Sequence, residues 1–211
     1  MTHPAARFVS RAALALALVT HVQPASAQRP PPRASAPTLP RGSLYVLDAT
    51  WTTQEGHVIR LAELRGDVVV LTMVYTSCTM TCPLLTNEML AVQRALPPAI
   101  RGRVRFVLAS FDPARDSVAV LHAYATKMSL DERWLALRAS AADVRQLAVL
   151  LGVRYRALPN GDFEHSNIIT VLDADGVQQF QAERVPVDRP ALVGAVMHAV
   201  RSDAADRLRR K

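Results

Sequence analysis

Beyond residue 43 the apolar and polar positions follow two rhythms. Apolar runs of four to eight residues, closed by Gly, Pro or Asp, predict strands at 44–51, 57–61, 68–75, 103–110, 134–138, 167–172 and 177–180. Apolar residues spaced three and four apart predict helices at 83–96, 116–127, 140–151 and 189–202. The punctuation agrees. Gln54-Glu55-Gly56 turns the first two strands into an N-terminal β-hairpin, and residues 61–64 form a helical turn halted by Gly66. Pro97-Pro98 stops the first helix, Asp116 or Ser117 caps the second, and Ser140 and Gly152 open and close the third. Strand and helix alternate, and a hairpin with a closing helix ends the series. That order predicts an α/β fold of thioredoxin type, with a mixed central sheet flanked by helices, in one domain over residues 44–202.

The run at 68–75 is rich in β-branched residues and carries no charge, as a strand buried on both faces requires. Thr76 and Ser77 end it. Cys78 and Cys82, the only cysteines, come next, with Pro83 directly behind them. Proline suits a first helical turn, where a missing N–H removes no bond. The stretch reads as strand, dithiol loop and helix N-terminus, and the positive end of the helix dipole favours thiolate over thiol. Residues four apart on a helix have Cβ atoms about 5–6 Å apart, wider than the roughly 3.8 Å of a disulfide. A metal about 2.3 Å from each sulfur spans that gap. A loop ahead of the helix can also bend to close a disulfide, but so short a link would stabilise little. Thiol redox chemistry and soft-metal binding both stay open.

A third ligand has to come from elsewhere. His3 and His21 precede the folded region, His57 sits in the hairpin, and His122 and His198 lie in helices. His165 differs: it stands in the loop Asn160-Gly161-Asp162-Phe163-Glu164-His165-Ser166, ahead of a buried strand. In a thioredoxin-type sheet the loop entering that strand passes the dithiol, and a reductase of that fold carries a proline where this chain has His165. Two thiolates and one imidazole make a low-coordinate site suited to Cu(I).

A formal charge of +7 raises nucleic-acid binding, but its distribution argues against it. The surplus lies at the ends, in Arg7, Arg11, Arg29, Arg33 and Arg41 and in Arg201, Arg207, Arg209, Arg210 and Lys211. Between them the signs are mixed and no aromatic residues interleave with a basic stripe, so no nucleic-acid partner is expected. Residues 203–211 read as a basic tail. Residues 1–27 read as a signal peptide: Arg7 and Arg11, then an apolar core at 12–19, then the small residues Ala25-Ser26-Ala27. The apolar core is far shorter than the ~20 residues that span a bilayer; the alternative is a membrane anchor over residues 12–27 left uncleaved. Residues 28–43, rich in proline, form a linker. The expectation is an exported, periplasmic monomer, soluble or weakly membrane-associated, in a compartment that oxidises idle cysteine pairs.

Three blocks in order resemble the SCO/SenC family of copper proteins: Thr76-Ser77-Cys78-Thr79-Met80-Thr81-Cys82-Pro83 after an apolar strand, Phe111-Asp112-Pro113-Ala114-Arg115-Asp116, and His165-Ser166 before a strand that ends Leu172-Asp173-Ala174-Asp175-Gly176. The resemblance implies a thioredoxin-like fold and one copper per chain, Cu(I) or Cu(II), held by Cys78, Cys82 and His165. It implies a metallochaperone that serves the copper centre of cytochrome c oxidase by donating copper, by reducing the target's cysteines, or both. The implied partner is a copper-accepting respiratory oxidase subunit or another periplasmic copper protein. Asp112 matches an acidic residue near the family's site. The family's loop usually reads Cys-Pro-Asp-x-Cys-Pro; here Thr79 and Met80 replace the proline and aspartate, which removes a negative charge from the rim and adds a thioether that copper tolerates. The cleavable-looking signal is a second departure, since many relatives keep an anchor. The rival reading keeps the fold and drops the metal: a thiol-disulfide oxidoreductase or thiol peroxidase with Cys78 and Cys82 as its catalytic dithiol.

Overall fold

The structure, a computed structural model, describes residues 39–209. The signal-like segment and the linker up to residue 38 lie outside the described residues. In chain order the elements are β1 (Thr50–Thr53), β2 (Val58–Arg60), β3 (Val68–Val74), α1 (Thr81–Ala95), α2 (Pro98–Arg101), β4 (Val104–Ser110), α3 (Val118–Lys127), β5 (Trp134–Arg138), α4 (Ala141–Leu151), β6 (Tyr155–Ala157), β7 (Phe163–His165), β8 (Ile169–Leu172), β9 (Gln178–Ala182) and α5 (Arg189–Arg209). Seven strands form one sheet in the order β2-β1-β5-β4-β3-β8-β9, and β6 pairs with β7 apart from it. β3, β4 and β5 run parallel; β1, β8 and β9 join antiparallel to their neighbours. This is the mixed sheet flanked by helices that the alternation of elements predicts.

β3 lies between β4 and β8, and all seven of its positions are buried, which is why it reads as an unbroken apolar run. Its one hydroxyl, on Thr72, is buried as well and donates to the Ile168 carbonyl at 2.7 Å. The largest buried side chains include Trp51, Trp134 and Phe106. Phe106 and Trp134 are register partners on β4 and β5, and their rings stack at 4.8 Å. Trp134 Nε1 donates to Gln93 Oε1 at 2.9 Å, and Gln93 Nε2 donates to Asp131 at 2.7 Å. These bonds fasten the C-terminal turn of α1 beside β5 and leave its N-terminus at the end of β3.

Three expectations change, and the choice of cap for α3 is decided. Residues 44–46 form a 3-10 turn, and the strand begins only at Thr50. Leu44 and Tyr45 are both buried, a pattern a strand with one wet face cannot produce; the Ser43 hydroxyl accepts from the Tyr45 N–H and holds the turn. The Tyr45 ring packs flat on Gly176, where a Cβ would fall 2.7 Å from the ring. The loop expected at 160–166 is partly a hairpin, with Tyr155 opposite His165 and Ala157 opposite Phe163. The residue that caps α3 is Ser117, which accepts from the Val120 N–H; Asp116 does other work. Residues 203–209, expected as a tail, continue α5: Asp203 pairs with Arg103 and Arg207, and Arg207 donates to the Gly66 carbonyl. Among the described residues no helix is long and apolar enough to cross a membrane.

Leu71, 1% exposed at the middle of β3, tests this core. Leu71→Ala should cost about 2–5 kcal/mol, seen in urea titration as a lower midpoint with an unchanged slope. A loss below about 0.5 kcal/mol, the range of an ordinary surface change, would contradict the burial of β3.

Candidate metal centre

The site starts from a buried carboxylate. Asp116 is 0% exposed and sits where the parallel strands β3 and β4 end. It accepts from the Thr76 N–H at 3.2 Å, from the Thr76 hydroxyl, and from the Ser110 hydroxyl that closes β4. Arg138, at the end of β5, donates to the main-chain carbonyls of Asp116 and Pro113 at 2.8 and 3.0 Å. Thr76 is therefore fixed, and the dithiol loop leaves β3 in one direction.

Two residues on, Cys78 closes a turn, its N–H donating to the Tyr75 carbonyl at 3.3 Å. α1 begins at Thr81, two residues before Pro83, so Cys82 lies in its first turn. Met80, at the N-cap, gives no side-chain acceptor. The sulfur of Cys78 stands in: the Cys82 N–H donates to Cys78 Sγ at 3.3 Å. The Thr81 hydroxyl lies 3.5 Å from the same sulfur. Burial alone would raise the Cys78 thiol, but the Cys82 amide, the Thr81 hydroxyl, the Met80 amide and the Cys82 thiol together outweigh it and bring it down to about 7. Cys82 is the reverse. It is 0% exposed, and burial pushes its thiol far above the ordinary range, helped by the charge of Cys78 and only partly offset by a backbone hydrogen bond at Tyr75. Both cysteines are free thiols.

His165 arrives on β7 from the far side of the loop. Its ring lies 5.8 Å from Tyr75, edge to face, and 5.1 Å from Phe111. Phe163 and Tyr155 complete the aromatic underside of the hairpin, with Phe111 stacked on Tyr155 at 5.0 Å. His165 Nδ1 lies 3.1 Å from the Ser166 carbonyl, which only accepts, so the proton belongs on Nδ1. Nε2 keeps its lone pair and faces the Thr81 hydroxyl at 3.3 Å.

The structure thus brings together the three residues that spacing and resemblance single out. One ligand atom each from Cys78, Cys82 and His165 lies within 4.8 Å of the others, and no other such group of three is found among the described residues. Two soft sulfurs and an unprotonated imidazole nitrogen make a donor set for one soft metal ion. His57, His122 and His198 take no part in it. Asp112 does not join the sulfurs. It pairs with Arg115, whose guanidinium sits 5.5 Å above the Phe163 ring, so its contact is with the hairpin that carries His165. Met80 is 74% exposed on the rim. Sequence reasoning missed Asp116 as the bracket of the loop, naming it only as one of two candidate helix caps, and missed Thr81 altogether; both act through contacts with residues distant in the chain. The one local hint is that Thr81 lies between the cysteines.

A sequence model of SCO1/SenC matches residues 43–191, most of the chain. The chain belongs to the SCO1/SenC family. No curated protein matches it by sequence. Solved structures resemble its fold. A copper-bound ScoI from Arabidopsis thaliana is 19% identical, with 73% of this chain and 96% of that one covered and a TM-score of 0.65. A SCO1/SenC family lipoprotein from Bacillus anthracis str. Ames is 22% identical, with 72% and 92% covered and a TM-score of 0.66. BsSco, described as a member of the Sco family of cytochrome c oxidase assembly proteins with a disulfide switch, is 23% identical, with 71% and 90% covered and a TM-score of 0.63. At these identities the likeness is one of fold; for this SCO1/SenC chain the site rests on its own geometry.

Two measurements check that geometry. With its thiol at about 7, Cys78 should be about one-tenth ionised at pH 6 and nine-tenths at pH 8. Its alkylation by iodoacetamide, followed by mass spectrometry, should rise through a midpoint near pH 7 while Cys82 stays unmodified; equal rates at both cysteines would refute the asymmetry. Asp116→Ala strands the Thr76 and Ser110 donors and should cost about 2–3 kcal/mol, read by urea titration; an unchanged midpoint would remove Asp116 as the bracket.

Proposed function

We propose that this SCO1/SenC protein is an exported copper metallochaperone. It binds one copper ion through Cys78, Cys82 and His165 and assists assembly of the copper centre of cytochrome c oxidase. The observation that carries the reading is the convergence of two sulfurs and an imidazole nitrogen within 4.8 Å. A copper-bound relative of the same fold and a relative named for oxidase assembly support it. So does the lipoprotein relative, as a pointer to export and hence to the periplasm. The acceptor is then a respiratory oxidase subunit or another periplasmic copper protein.

Copper is cargo in this reading, and the chain's residues set how it is held and let go. Cys78 is the less deeply buried of the two sulfurs and ionises near neutrality, so it can be exchanged for an acceptor's thiolate or imidazole. Cys82 is buried and its thiol resists ionisation, so metal binding has to displace its proton and strengthens as pH rises. His165 is held on a separate hairpin and keeps its donor nitrogen free of a proton. Joining the two sulfurs in a disulfide, with two electrons and two protons passed to a thiol-disulfide partner, removes two of three ligands, so redox state sets copper occupancy.

The same asymmetry favours a second reading, a thiol-disulfide oxidoreductase. A thiol that ionises near pH 7 beside one that resists ionisation is the arrangement for attack by the first and resolution by the second. Copper competition separates the two. The reduced protein should take up one equivalent of Cu(I) against a chromophoric chelator. Cys78→Ala, Cys82→Ala and His165→Ala should each weaken uptake by more than the roughly 10–100-fold typical of losing an outer-shell partner. Wild-type affinity in His165→Ala would take that residue out of the site. Disulfide turnover that needs both cysteines, survives His165→Ala and ignores a copper chelator would favour the oxidoreductase.

A further inference from the structure

Thr81 stands between two of the three candidate ligands. It is half-buried at the start of α1, and its hydroxyl is 3.5 Å from Cys78 Sγ and 3.3 Å from His165 Nε2. The two groups come from different parts of the fold, Cys78 from the loop after β3 and His165 from β7, 84 residues beyond Thr81. A hydroxyl carries one proton. The Ser166 carbonyl beside Nδ1 only accepts, so a proton on Nδ1 leaves Nε2 to the Thr81 O–H; while Cys78 is a thiol its S–H can donate to the Thr81 oxygen in turn, and once Cys78 ionises the hydroxyl is shared between sulfur and ring. Both ring nitrogens are then tied, one to β-hairpin backbone and one to α1, and the ring cannot turn about either bond.

We infer that Thr81 is a positioning residue, holding the His165 ring in its ligand orientation before metal arrives and turning its O–H hydrogen bond wholly to Cys78 Sγ, with the proton kept on the hydroxyl, once Nε2 is taken. The inference rests on the copper-binding reading. A partly buried hydroxyl that loses one acceptor is satisfied by another; Cys78 Sγ, already within reach, is that acceptor. Threonine suits the task because its branched Cβ restricts χ1 and its backbone is fixed in a helix. Without the hydroxyl, the ring is left with the Ser166 bond and its contacts to Tyr75 and Phe111.

Thr81→Val keeps the shape and removes the hydroxyl; Thr81→Ser keeps the hydroxyl. Two readouts on the full reduced protein test the inference. In the metal-free state, the ¹⁵N resonance of His165 Nε2 should move toward that of an unbonded imidazole nitrogen in Thr81→Val and stay close to wild type in Thr81→Ser. In chelator competition, Cu(I) should bind Thr81→Val about five- to tenfold more weakly, the equivalent of one hydrogen bond, and Thr81→Ser within about twofold of wild type. An unmoved Nε2 resonance in Thr81→Val overturns the inference, and so does a moved resonance with unchanged affinity. Absence of copper uptake by the wild-type protein would instead defeat the functional reading, and the metal-free resonance would still decide whether Thr81 holds the ring. Should Thr81→Val melt far below wild type, Thr81→Ala takes its place in both measurements.

Discussion

Asp116 is a carboxylate with no access to water, and such a group has to be met by donors or it will not stay charged. Here the donors are Thr76 and Ser110, at the ends of the adjacent parallel strands β3 and β4. One anion therefore ties two strand ends and the first residue of the dithiol loop into a single unit. Every later feature of the centre depends on it. The loop has room for one turn before α1 begins, and the direction in which it leaves Thr76 decides where both sulfurs point. Arg138 supports the bracket from β5 by holding the carbonyls of Pro113 and Asp116.

Helix physics does the next part. α1 opens without a side-chain cap from Met80, and the amide of Cys82 turns to the sulfur of Cys78. The same bond that satisfies an orphan helix donor also stabilises a thiolate. Cys78 becomes the more readily ionised member of the pair, and Cys82, more deeply buried, the resistant one. A dithiol built this way suits metal exchange and disulfide chemistry alike, so the cysteines alone do not choose between them. His165 adds a third donor beside the pair, one that a soft metal ion can use.

That histidine reaches the cysteines by way of aromatic packing. The β6–β7 hairpin belongs to no larger sheet, and three residues on each side are too few to stand alone. Tyr155 and Phe163 on its underside meet Tyr75 and Phe111, which follow β3 and β4 directly. Asp112 joins in through Arg115 over Phe163. The residues that follow the two strands thus serve both halves of the site: Thr76 aims the loop, and Tyr75 and Phe111 seat the hairpin.

Much of this was legible before any coordinates. A buried central strand betrays itself as an unbroken apolar run, helix ends betray themselves through Ser140, Gly152 and the proline pairs, and two lone cysteines ahead of a proline mark a loop with chemistry in it. Other parts were hidden. The turn at 44–46 and the hairpin at 155–165 are too short for a period to emerge, and they are held by Ser43, Gly176 and a set of rings from elsewhere in the chain. Asp116 looks like any helix cap until its neighbours are known. The order of strands and helices and the identity of the two sulfurs come from local patterns, because hydrophobic period and helix punctuation act within a few residues. The meeting of His165, 84 residues beyond Thr81, with Cys78 and Cys82, and the depth at which Cys82 is buried belong to tertiary structure alone, because each depends on contacts that only the folded sheet brings together.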